Sequence, residues 1–253
     1  MNGIRFKIGV GLVAALFLSA SAAAQQVEMV ISGLEFTTGT AMGVIEQDVL
    51  IEKNPGSGEV YRPGPTEAEP YRDAPVYAQT QPTPHYWWSP DKVGPFPKGK
   101  ALGFTLGEWL GAHGTATYAC RAGVGHVKAE FEKLVPNGVY TMWYALLLKL
   151  HLGCADCPFS GLVMPVGHPS GSQNSFVGDA SGNADFEAYF TPCLGLGNDQ
   201  IAAVLAVAYH SDGKTYRSNP GPGGVAMGWV SHTQAMAMLP DEGAWTANPC
   251  SAQ

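Results

Sequence analysis

Charge is scarce in this chain, and basic charge scarcer still. Of 253 residues 14% are charged, with 14 Lys and Arg against 21 Asp and Glu. Without a Lys/Arg cluster to track a phosphate backbone, no nucleic-acid partner is expected. Long apolar runs are also missing after residue 24. The longest, Ile201 to Tyr209 and Ala145 to Leu150, fall short of the roughly 18 to 20 residues a membrane helix needs. Helical periodicity is nearly absent beyond the same point, which argues against an α-helical or α/β architecture. Catalytic signatures are lacking too. There is no His-Glu-x-x-His, no His-x-His and no Gly-x-Ser-x-Gly, and Asn219-Pro-Gly-Pro-Gly-Gly224 has no Lys or helix behind it. These absences weigh against catalysis and leave binding as the expected role.

The amino terminus carries the clearest positive signal. Arg5 and Lys7 precede an apolar run from Ile8 to Leu18, and small residues follow, with Ala22 and Ala24 placed for a peptidase. That is the pattern of a cleavable secretory signal over residues 1–24, so a periplasmic or secreted protein is expected. Losing Arg5 and Lys7 takes the formal charge from −7 to −9. About 229 residues remain, ample for a sizeable core.

The remainder of the chain reads as β structure. β-branched and aromatic runs recur between Gly, Pro and Asn, with 32 Gly and 19 Pro in the chain. Residues 25–53 should supply two opening strands, Val27 to Phe36 and Ala41 to Lys53. Residues 54–99 hold ten prolines among Tyr61, Tyr71, Tyr77, Tyr86, Trp87 and Trp88. Proline removes ladder donors, so an extended coil is expected there, laid across a sheet face with its rings buried. From 100 to 245 seven strands are predicted: Thr115–Arg121, Gly125–Val135, Val139–His151, Ser175–Gly178, Ala184–Phe190, Ile201–His210 and Trp229–Leu239. Residues 246–253 form a tail. The fold class is all-β, a two-sheet antiparallel β-sandwich of immunoglobulin-like or Greek-key type with the Pro/aromatic segment packed against it.

Alternating strand directions bring Cys120, Cys154, Cys157 and Cys193 to one pole, where two disulfides are expected, with Cys250 the odd thiol. Cys154-Ala-Asp-Cys157 has redox spacing but lacks the helix that lowers a thiol pKa, so bridging is favoured. The opposite pole carries the long 211–228 loop, and loops on a rigid scaffold are where binding concentrates. Tyr209, His210, Tyr216 and Trp229 are the expected ligand contacts, for a small molecule, a glycan or an envelope protein. The alternative is copper. His210 and His232 flank the same loop, and on an extended strand His232, Gln234, Met236 and Met238 share one face, so His210, His232 and Met236 are candidate ligands. An exported enzyme with an unrecognised site is the third reading.

Leu134-Val-Pro-Asn-Gly-Val-Tyr-Thr-Met-Trp143, with Gly178-Asp-Ala-Ser-Gly-Asn-Ala184 downstream, resembles uncharacterised exported bacterial β-sandwich proteins. More distantly it is similar to the sandwich of copper/zinc superoxide dismutases and chordin-type domains. The resemblance implies the sandwich and export. It does not imply dismutase activity, because Thr141-Met-Trp143 stands where that family places a His-x-His.

Overall fold

The computed structural model describes residues 29–43, 45–46, 48–81, 93–148, 161–191, 193, 200–219 and 228–239. The signal-like segment, Trp87, Trp88, Trp245, Cys154, Cys157 and Cys250 lie outside them. In chain order the strands are β1 (Met29–Phe36), β2 (Leu50–Ile51), β3 (Glu59–Val60), β4 (Pro75–Gln79) and β5 (Phe96–Thr105). A single helical turn, α1 (Leu106–Leu110), leads into β6 (His113–Arg121), β7 (Val124–Glu132), β8 (Val139–Leu148) and β9 (Gly161–Pro165). β10 (Ser175–Val177), β11 (Ala184–Phe190), β12 (Gln200–His210) and β13 (Ser231–Met238) complete the order.

Two antiparallel sheets form the sandwich. One runs β1-β6-β7-β11 and the other β10-β8-β12-β13, with β9 also on β8. In β7 the inward Val127, Ala129 and Phe131 are buried while Lys128, Glu130 and Glu132 are exposed, the alternation of a sheet with one wet face. The inner faces meet in one core that includes Phe36, Tyr118, Phe131, Tyr140, Tyr144, Phe190, Leu205 and Val207. Trp143 is also buried, but on the opposite face of β8 from Met142 and Tyr144, and so outside the core between the sheets. Thr37 and Met236 exchange both backbone hydrogen bonds, 3.0 and 2.9 Å, so the end of β1 is stitched to β13 and the sheets join along one side.

The turns at 135–138 and 179–183, which read locally as hairpin turns, form but close no hairpin: the first joins β7 to β8 and the second β10 to β11, so each carries the chain from one sheet to the other. In Val135-Pro-Asn-Gly138 it is Asn137 that adopts positive φ, 55°. Gly138 is needed for space: a Cβ there would lie 2.7 Å from the Val135 carbonyl and 2.8 Å from the Tyr140 ring. In the second turn Asp179 Oδ1 accepts from Ser181 N at 2.7 Å and Asn183 N at 2.8 Å, a local mimic of a backbone turn.

Two expectations for the amino-terminal part are corrected. Of the strand expected over Ala41–Lys53 only Leu50–Ile51 forms, the described residues before it being turn and irregular chain. The Pro-rich segment is not a coil across a sandwich face. It contributes β3, β4 and β5, which with β2 make a third antiparallel sheet, β2-β4-β5-β3. Three of its prolines are tolerated because they avoid ladder interiors: Pro75 opens β4, Pro70 lies in the 3-10 turn Glu69–Tyr71, and Pro97 sits where β5 meets only the two-residue β3. Its small core of Val49, Ile51, Val76, Leu106 and Trp109 also packs against Val135 and Tyr209, so the third sheet caps the pole where those two residues lie.

At the other pole Cys120 and Cys193 form a disulfide across 73 residues of sequence. β6 and β11 are both antiparallel to β7, so they run in the same direction and deliver the two thiols to one end, as strand counting predicts. Closing a loop of that length restricts the unfolded chain by about 4 kcal/mol in the chain-entropy account. Cys120→Ser is therefore expected to cost roughly 2–4 kcal/mol, measured by urea unfolding under oxidising conditions. Cys193→Ser should match it, and the double variant should be no worse than either single one, because all three lose the same bond.

Candidate functional site

The capped pole is built where β12 ends and β13 begins. Tyr209 and His210 are consecutive strand residues, so their side chains leave opposite faces. Tyr209 points toward the third sheet, its ring 5.8 Å from Phe104, 6.4 Å from Trp109 and 5.6 Å from Tyr140. His210 points to the outer face of its sheet and is buried. There the Trp143 indole N–H donates to Thr141 Oγ1 at 2.7 Å, and that oxygen lies 2.7 Å from His210 Nε2. His210 Nδ1 has no partner, and neither has the buried Ser231 hydroxyl directly across the ladder. Unsatisfied buried polar atoms are rare in folded proteins and mark places where a ligand or water completes the bonding.

The surface of this pole comes from the loop after β12 and the residues before β13. Tyr216, half-buried, has its ring 6.1 Å from His210 and donates its hydroxyl to Asp212. Trp229 is 36% exposed, whereas Trp109 and Trp143 are buried. Of the four predicted contacts, Tyr216 and Trp229 therefore reach the surface, His210 lies buried beside Tyr216, and Tyr209 packs on the opposite face against the third sheet.

The three candidate copper ligands are not brought together. β13 carries a bulge at Gln234, between the Val207↔Ala235 and Ala208↔Thr233 pairs. An inserted residue reverses the in/out parity of everything after it. His232 faces Tyr209 and Trp109, with rings at 6.0 and 6.5 Å, while Met236 emerges on the other face among Val204, Ala206 and Met42. The shared face read from strict alternation is thus undone by one residue. No group of three His, Cys, Asp or Glu placed to hold a metal occurs among the described residues.

Sequence reasoning missed the acidic side of this pole. Trp109 is aimed inward by α1, whose first turn is closed by a Thr105–Glu108 capping box. Its indole N–H donates to Glu46 Oε2 at 3.0 Å, while Thr40 N donates to Glu46 Oε1 at 2.7 Å. Two residues on, Asp48 Oδ2 accepts from Thr233 N at 2.7 Å, and its carbonyl oxygen accepts from His232 Nδ1 at 2.7 Å. Gln234 joins in, accepting from Tyr140 and donating to the Trp109 carbonyl. The signal was present as Glu46-x-Asp48, two carboxylates set two apart inside an otherwise apolar stretch.

Burial dominates the electrostatics here. It raises Glu46, and it raises Asp48 to about 7 despite the Thr233 hydrogen bonds and the nearby Arg62. Burial also lowers Arg62 to about 10, and His210 and His232 each to about 4. Both imidazoles are accordingly neutral at ordinary pH.

No family model, no curated protein and no solved structure matches the chain.

These shifts set opposing pH dependences. The histidines have folded pKa values below their usual 6.5, so the stability they allow is complete above that value and is lost as pH falls toward 4. Asp48 titrates above its usual value, so the folded state binds the extra proton and stability falls as pH rises from about 4 to about 7. Asp48→Asn keeps an acceptor for Thr233 N and removes the second effect. Relative to the parent it should gain about 2–4 kcal/mol between pH ~4 and pH ~8. Urea unfolding of both proteins at the two pH values checks this, and a constant difference would contradict it.

Proposed function

We propose that the protein is an exported β-sandwich that binds a hydroxyl-rich ligand, a glycan, at the pole bearing Trp229 and Tyr216. The observation that carries this reading is the exposed Trp229 standing two residues from Ser231, whose buried hydroxyl, like His210 Nδ1 opposite it, has no partner. An aromatic face gives a sugar ring a broad contact at low entropic cost, and unpaired neutral donors and acceptors suit hydroxyl groups. His210 stays uncharged because it is buried, which fits a neutral ligand better than an anion. Export is supported by the Cys120–Cys193 bridge, since such bonds persist in oxidising compartments. The turns at 135–138 and 179–183, which carry the resemblance to exported bacterial sandwich proteins, fold as the connections between the two sheets.

Tryptophan fluorescence titrated with a glycan panel tests the proposal, because Trp229 is exposed while Trp109 and Trp143 report from the core. A saturable change that Trp229→Ala abolishes, or weakens at least about tenfold (~1.4 kcal/mol), is the expected result. A titration flat for every glycan and for envelope extracts, or one unaffected by Trp229→Ala, would overturn it.

A further inference from the structure

Binding alone leaves one arrangement at this pole without a purpose. His232 is 0% exposed, and a carbonyl can only accept, so its 2.7 Å contact with the Asp48 carbonyl places the proton on Nδ1. Nε2 of the neutral ring is then bare and faces Ser211 Oγ at 2.9 Å. The Ser211 hydroxyl has a second, poorer acceptor in the Val230 carbonyl at 3.4 Å. Its backbone is held by Ser211 N donating to that same carbonyl at 3.0 Å. Ser211 is half-buried, at the mouth of the loop that carries Tyr216, while the base behind it is sealed by Trp109 and Tyr209. A hydroxyl on the open nitrogen of an imidazole that a third group orients is the relation that activates a serine nucleophile.

From this geometry we infer that Ser211 is a nucleophile activated by His232 as general base, with the Asp48 carbonyl as its positioning group, and that the site cleaves activated carboxylic esters. Ser211 Oγ bonds to the ester carbonyl carbon as its proton passes to His232 Nε2. The bond to the leaving alcohol breaks, and that proton goes to the alcohol oxygen. Water then adds to the acyl group on Ser211, giving its proton to Nε2, from which it returns to Ser211 Oγ as the carboxylic acid leaves. The restriction to activated esters follows from the backbone. Ser211 N is spent on Val230 and Gly213 N on the His210 carbonyl, so neither is free to stabilise an oxyanion, a loss worth about 10²–10³ in rate. A good leaving group lessens that need.

The inference goes beyond the binding reading, and a small probe needs neither Trp229 nor a glycan, so the two can fail separately. The test uses a fluorescent fluorophosphonate and p-nitrophenyl acetate on the full chain as the cell processes it, with disulfides intact. Label is expected on Ser211, located by mass spectrometry, and Ser211→Ala should abolish it with an unchanged melting temperature. Ser170→Ala is the internal control. Ser170 also touches an imidazole, His168 Nδ1 at 2.8 Å, but on an exposed loop where that nitrogen also accepts from Ser170 N. Its removal should leave labelling intact. His232→Gln should slow labelling at least about a hundredfold. If that variant does not fold, the pH profile of the parent stands in for it. The Asp48 carbonyl from the amino-terminal segment and Tyr209, His210 and Asp212 from the β12 end surround the base, and Glu46 and Arg62 act on the Asp48 carboxyl behind it. The rate should be level from neutrality down to mildly acidic pH and fall with a midpoint near 4, the His232 value. Labelling absent, directed to another serine, or unchanged in Ser211→Ala would overturn the inference, as would a midpoint near that of a free imidazole.

Discussion

Asp48 grips β13 at two consecutive residues, through its carbonyl to His232 and its carboxylate to the Thr233 amide. Almost everything particular to this pole depends on that double contact. It satisfies an amide on the outer ladder of β13 that has no strand beside it, and so closes a sheet edge that would otherwise be open. It also sets the tautomer of His232 and anchors the chain leading into the third sheet, whose core packs under Tyr209. A segment with few regular strands of its own is thereby held against a rigid one.

The same contact explains why charge is buried here in a chain that has little of it. Glu46 and Asp48 are both buried, with Arg62 close by and buried as well. Taking ions out of water costs several kcal/mol each, and mutual attraction recovers this only where hydrogen bonds are also made. Glu46 has them from Thr40 and Trp109, and Asp48 from Thr233. Even so, burial wins at Asp48, whose pKa stands near 7. At neutral pH this carboxyl is therefore close to the balance between charged and neutral, and at lower pH the neutral form relieves the desolvation cost.

Much of the sandwich was legible because its determinants are local. Alternation in Val127–Phe131 states its geometry within a few residues, and the turns at Asn137-Gly138 and Asp179–Asn183 are visible as turns although not as the sheet-to-sheet connections they are, and strand directions then bring Cys120 to Cys193 by counting alone. The third sheet was not legible. Its strands are short and proline-marked, and Pro75 and Pro97 read as ladder breakers unless one knows that they fall at a strand start and beside a two-residue partner. The shared face drawn for His232 and Met236 failed for a sharper reason: strict alternation is right for most of β13 but wrong past Gln234, and a bulge has no dependable signal in a run such as Ser-His-Thr-Gln-Ala-Met. Ser211 was invisible because its importance lies in a contact with His232, 21 residues away.

The two poles of the sandwich divide the work that a disulfide and a hydrogen-bond network can each do. A covalent bridge constrains the unfolded chain and is indifferent to pH in the range where carboxylates and imidazoles titrate, so it suits the end that only has to hold. The capped end is secured by groups whose protonation changes between about pH 4 and 7, and it carries buried polar atoms left unpaired, His210 Nδ1 and the Ser231 hydroxyl among them. That is a poor way to make an inert cap. Stability is given up where surface loops meet buried neutral imidazoles, and a fold gives it up most readily at positions used for something other than folding.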